Sequence, residues 1–229
     1  RGARLSFGLD VEKSAYDFTG LEPGVLPAEF DDMTVTKLQA NYFKVQSSEW
    51  SVFGVGTLSV SVEKGADTGD GRTFGAVGGV RRQVNDRLGV SIGLLTKTRL
   101  ENGPLVIPLP GFDWTITDRL MLRTGQGLTL SYQIDEMMRW KGEVALGYEG
   151  REYRLNDEND LPGGVLIDRS IPCTLGVVYN PRPDIHVRLA MGSITWQEYI
   201  FKDSEGRSIE TDDPDMPTRY VSLDAGVKF

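Results

Sequence analysis

The residues richest in chemical potential lie between positions 139 and 151. Arg139, Lys141, Glu143, Glu149 and Arg151 take odd positions, while Met138, Trp140, Val144, Leu146 and Tyr148 take even ones. A period of two puts the charges on one face of a strand and the apolar residues on the other. Charges of both signs on one strand face suit an interior that is either wet or filled with ion pairs, because unpaired charge is costly away from water. Arg188, Glu198, Asp224 and Lys228 extend the set from later segments. Two roles are open to it. A continuous polar path would make it a selectivity lining, and a narrow interior would make it a plug of ion pairs.

Other chemistry finds less support. His186 is the only histidine, and Arg188, not a serine, stands two residues after it. A nucleophile–base pair on neighbouring strand positions is therefore missing, and a hydrolase is disfavoured. The runs Asp157-Glu158-Asn159-Asp160 and Asp212-Asp213-Pro214-Asp215 offer oxygens to Ca²⁺, but solvated acidic loops are the simpler reading. Cys173 is the single cysteine, so the chain holds no internal disulfide and no thiolate metal cluster. No phosphate loop, zinc spacing or dinucleotide fingerprint occurs. The expectation is no enzyme, no cofactor and no metal.

Composition bounds the partners. The chain has 229 residues, a net charge of −8, 39% hydrophobic residues and a mean hydropathy of −0.27. An acidic chain is a poor partner for nucleic acid. No apolar run is long enough for a transmembrane helix, yet strands that alternate can cross a bilayer while averaging as hydrophilic. No signal peptide is visible at Arg1, so an exported protein would be met here as a mature or trimmed chain.

Alternation recurs along the whole chain. Strands are expected near 3–12, 33–45, 50–63, 73–82, 88–94, 120–123, 128–134, 137–153, 165–179, 185–192 and 218–229, with an irregular segment at 105–116 where Pro108 and Pro110 remove donors. Leu5, Phe7, Leu9, Val187, Leu189, Leu223 and Val227 join Trp140, Val144 and Leu146 as the outward, lipid-facing set. His186, Arg188, Asp224 and Lys228 fall inward. Phe53 and Val55 break the pattern by standing among the polar residues of their segment. Connections alternate between short turns, such as 84–86, 117–118 and 135–136, and long polar loops at 13–32, 64–72, 97–104, 154–163 and 200–217. Trp50, Trp114, Tyr132, Trp140, Tyr179 and Phe229 fall near the short-turn ends, and Tyr16, Phe18, Tyr148 and Tyr153 near the long-loop ends. Two such groups would form aromatic girdles at a bilayer's surfaces.

The closing stretch TRYVSLDAGVKF alternates to a terminal Phe229. It resembles the last strand of bacterial outer-membrane β-barrels. QVNDRLGV, TITDRLML and YQIDEMMRW repeat a strand–acidic turn–strand pattern. With LPGFDWTITDRLML and LTLSYQIDEMMRWKGEVALGYEGREYRL they resemble small outer-membrane barrel families of unknown function. The resemblance implies one domain over 1–229: an all-β, antiparallel, up-and-down transmembrane barrel of about twelve strands in a bacterial outer membrane. It implies lipid bilayer and lipopolysaccharide as surroundings, and Phe229 as a signal to the barrel-assembly machinery. Two functions follow as expectations: a porin-like passive channel for small polar solutes or ions, lined by the inward charges, or a closed structural or binding barrel whose loops contact a protein partner or a second copy. A soluble β-sandwich is the third reading, and it predicts that Leu5, Phe7, Val144, Leu146, Leu189 and Leu223 are buried in protein.

Overall fold

Alternation of apolar and polar residues, carried on β-branched and aromatic side chains, selects strands throughout. A computed structural model describes residues 2–17, 29–125, 127–158, 161–182, 185–212 and 218–227. Among them there is no helix. There are fourteen strands: β1 (Ala3–Asp17), β2 (Glu29–Val45), β3 (Trp50–Val62), β4 (Arg72–Asn85), β5 (Leu88–Lys97), β6 (Leu105–Thr115), β7 (Leu120–Thr124), β8 (Gly127–Gln133), β9 (Trp140–Gly147), β10 (Glu149–Arg154), β11 (Val165–Arg182), β12 (Ile185–Lys202), β13 (Ser208–Asp212) and β14 (Arg219–Val227).

Neighbours in sequence pair antiparallel from β1 to β9, and β9 pairs with β11. The order then departs from simple up-and-down. β10 pairs with β11 on one side and, in parallel, with β3 through Arg154 and Val62. The Glu63 N–H donates to the Arg154 carbonyl at 2.8 Å across this junction. The contact closes a nine-stranded barrel of β3 to β11, with β1, β2, β12, β13 and β14 outside the ring. β9 and β10 lie end to end along one edge of β11, with Leu146 opposite Cys173 and Glu149 opposite Ser170. β13 and β14 share an edge of β12 in the same way. Among the described residues β1 pairs only with β2, and β14 only with β12.

Several boundaries differ from the sequence reading. β1 and β2 run into the segment expected as loop 13–32, and β12 and β13 into 200–217. The expected strand at 137–153 is interrupted at Tyr148. The prolines do not make 105–116 irregular. β6 pairs with β5 along its whole length, whereas β7 meets only Asp113–Thr115. Pro108 and Pro110 thus sit where the far edge of β6 has no strand partner, so no ladder bond is lost.

The wall is one sheet thick. Its surface is 14442 Å², against about 10,300 Å² for a filled monomer of this mass by the usual size scaling. One face carries large exposed apolar residues on strand after strand, with Phe7 at 77% and Leu223 at 73%. The other face carries the buried polar residues Ser51, Ser61, Thr73, Ser131 and Glu143. Side chains from separate strands converge on that second face, which makes it the lumen. The only buried apolar cluster, among the described residues, sits at the long-loop end: Met33, Tyr153, Leu155, Leu161, Leu166 and Phe201, with Tyr16, Val35 and Tyr199 against it.

Candidate functional site

The inward charges of the lower barrel gather around Glu143. On β9 its carboxylate takes Lys141 Nζ at 2.7 Å, with Arg188 Nε of β12 at 3.6 Å and Arg123 Nη2 of β7 at 3.9 Å. Ser131 Oγ of β8 lies 3.4 Å away. Arg188 also holds Asp224 of β14 at 3.3 Å, and Arg81 of β4 holds Asp113 of β6 at 2.9 Å. Alternation on each strand turns these groups inward, and antiparallel register stacks them into one layer.

The residues expected to line a pore separate into three groups. Lys141, Glu143, Arg188 and Asp224 meet in this layer, and His186 shares their face beside Gly226. Glu149 and Arg151 lie at the long-loop end, where Arg151 Nη2 contacts Glu149 at 2.9 Å and Glu12 of β1 at 3.1 Å. Arg139 is not in the wall: it sits in the β8–β9 turn, 3.5 Å from Asp135. Glu198 is a further correction. A bulge between Ile194 and Trp196 shifts the β11–β12 register by one. Gln197, Tyr199 and Phe201 thereby turn inward, and Glu198 goes to the opposite face, 3.1 Å from Arg169. Lys228 and Phe229 lie outside the described residues.

Leu5, Phe7, Leu9, Val144, Leu146, Leu189 and Leu223 stand exposed on the outer face. Trp140 shares it and stacks on Tyr179 at 4.3 Å, and Val187 is half-buried on the same side. The backbone of Val227 ends β14. Trp50, Trp114 and Tyr132 are exposed near the short turns, and Tyr148 near the long loops. Tyr16 and Tyr153, expected in the second girdle, instead belong to the buried cluster at the long-loop end; Phe18 lies outside the described residues.

The β10–β11 hairpin is buried on both faces. One face presents Tyr153, Leu166 and Asp168 to Tyr16, Met33, Tyr199 and Phe201. On the other, Glu152 accepts from Arg99 Nε at 2.9 Å and from the Leu100 N–H at 2.8 Å, and Arg154 pairs with Glu101 at 2.6 Å. The hairpin that closes the ring on β3 is thus covered on both sides at the long-loop end. Asp168, 4% exposed, anchors it. Its Oδ2 is 3.0 Å from Tyr16 Oη, and its Oδ1 accepts from Gln197 Nε2 at 3.1 Å.

A feature outside the charge set crosses the face that β2 shares with the inner side of β3 to β6. Register aligns Phe43, Phe53, Gly79, Gly93 and Leu109 in one inward row, and Asn41, Val55, Val77, Leu95 and Ile107 in the next. Glycine is required where the Phe53 ring lies: a Cβ on Gly79 would stand 2.5 Å from Phe53 Cζ and 2.6 Å from the Ile92 carbonyl. Phe43 and Ile107 remain 37% and 39% exposed within the barrel. A cavity of about 350 Å³ opens beside this band, with Arg4, Ser6, Asn41, Phe43, Phe53 and Val55 among its lining. Phe53 and Val55 were the visible signal, as breaks in alternation.

No protein-family model matches the chain, and no curated protein or solved structure matches it.

Proposed function

We propose that this chain is a bacterial outer-membrane β-barrel whose mouth is closed, and that it serves as a binding or structural barrel presenting its loops to a partner. The outer face carries the reading: exposed apolar residues recur on every long strand, where a soluble protein of this size would bury them. In this reading β9 with β10, and β13 with β14, each count as one crossing, so fourteen strands form twelve rows. Eleven antiparallel steps leave β1 and β14 antiparallel to each other, the orientation needed for the two to close an up-and-down wall. Trp50, Trp114, Tyr132 and Trp140 then sit at one bilayer surface. Lipid and lipopolysaccharide surround the wall.

The occluded mouth favours a closed barrel over a standing porin. The hairpin's clasp of Asp168, Glu152 and Arg154 joins parts of the wall that an open pore would keep apart. The test is conductance of detergent-refolded protein inserted in a planar bilayer. Wild type is expected to be silent, and Tyr16→Phe combined with Arg151→Ala to give steps. Steady large steps from wild type would overturn the closed-mouth reading. Protein that folds as a monomer in water without detergent would overturn the membrane reading.

A further inference from the structure

Resting on the membrane-barrel reading, the geometry points to a lumenal site for an anionic amphiphile of the fatty-acid class, its hydrocarbon on the apolar band and its acid group at Arg4. The two inward rows span five strands, or about 19 Å at the usual strand spacing. That is a long apolar track, and more than a third of the surface of Phe43 and of Ile107 is left exposed. A polar solute gains nothing there, because an apolar constriction sheds water. A hydrocarbon chain gains burial along its whole length.

Charge selects the head group. Arg4 pairs across the ladder with Phe43, so its guanidinium side shares the row that holds the Phe53 ring. Arg4, Lys37 and Lys97 face inward around the band with no ion pair among the described residues, whereas Arg81 is held by Asp113. On the same face of β1, Asp10 lies opposite Lys37, and Glu12 beyond it is held by Arg151. Four cations against two acids leave a local charge of +2 on a chain whose net charge is −8. The cavity beside Arg4, about 350 Å³, falls in the range of small-molecule sites. It joins the cation to the apolar track in one concave surface.

The test uses the whole chain held in amphipol and a diazirine-bearing stearic acid as probe. After irradiation, adducts are mapped to single residues by tandem mass spectrometry. Inward and outward residues alternate within each peptide, so the map separates lumen from outer wall. Adducts at Phe43, Phe53, Val55 and Ile107 are expected, saturable and displaced by oleate but poorly by octadecyltrimethylammonium. Arg4→Glu should weaken labelling about tenfold, the scale of one charge-assisted hydrogen bond. Phe43→Ser, at a half-exposed site, should reduce it without disturbing the fold. Non-saturable adducts confined to Phe74, Ile92, Leu94 and Leu189 would overturn the site while leaving the membrane reading standing. Absence of any adduct from folded protein would overturn it too. Equal displacement by the cationic analogue would remove the anionic head group.

Discussion

Removing one hydroxyl should loosen the β10–β11 hairpin. Tyr16→Phe keeps the ring, which meets Tyr153 and Tyr199 edge-on with centroids 5.8 Å away. It takes away the proton donated to Asp168 at 3.0 Å. A hydrogen bond to a charged acceptor contributes about 1.5–3 kcal/mol, and a carboxylate this buried belongs in the upper half of that range. Gln197 at 3.1 Å and Arg151 at 3.8 Å still serve Asp168, so the loss stops short of stranding the charge. Taking about 2–3 kcal/mol, and about 1.4 kcal/mol per tenfold, opening becomes roughly 30- to 140-fold more frequent. Amide hydrogen exchange of folded protein reads this directly, since sub-global opening sets the exchange of clasped segments. Amides of Leu166, Ile167 and Asp168 should speed up by that factor, while those of β4 and β5 stay unchanged. Equal rates in both proteins would refute the reasoning, because the hydroxyl would then carry none of the closure. Acceleration everywhere would mean that the barrel, not the hairpin, had been weakened.

Leu94→Arg and Leu189→Arg, on the exposed outer face, should each cost about 2–4 kcal/mol when urea titrations follow folding into lipid vesicles; an unchanged midpoint would place these residues in water. Glu152→Ala strands Arg99 and the Leu100 N–H, and should cost about 2–4 kcal/mol and open the 98–104 loop to protease. The Trp140 N–H, at 2.7 Å, holds the Asp135 carboxyl below the ordinary aspartate range. Its contribution is therefore present above about pH 4 and is lost as pH falls through the lower folded value; Asp135→Asn should flatten the acid limb of the stability profile.

Much of the wall was legible because a period of two is a local property. Leu5-Phe7-Leu9 and Lys141-Glu143 reveal their faces without any neighbour being known. What alternation cannot report is where a strand slips. The bulge beside Thr195, whose hydroxyl donates to the Ile171 carbonyl at 2.9 Å, leaves no mark in the sequence and moves Glu198 to the far face. Tyr16 and Tyr153 were misassigned for a related reason. An aromatic near a strand end satisfies a girdle and a buried cluster equally well, and only the fold of the hairpin chooses. Pro108 and Pro110 misled in the other direction, since a missing donor matters only if a neighbour needs it. The apolar band was half visible, in Phe53 and Val55, but its meaning required the registers that carry it across five strands.

The prolines of β6 have a bearing on how the wall is put together. An open strand edge is a template, and any extended chain with free donors and acceptors can add to it. Above Asp113 the far edge of β6 is such a place, but Pro108 and Pro110 withhold the amides a newcomer would need. β1 and β14 contain no proline and keep theirs. Among the described residues the edges therefore differ in receptivity: a blunt one in mid-wall turns strangers away, and two adhesive ones lie along β1 and β14.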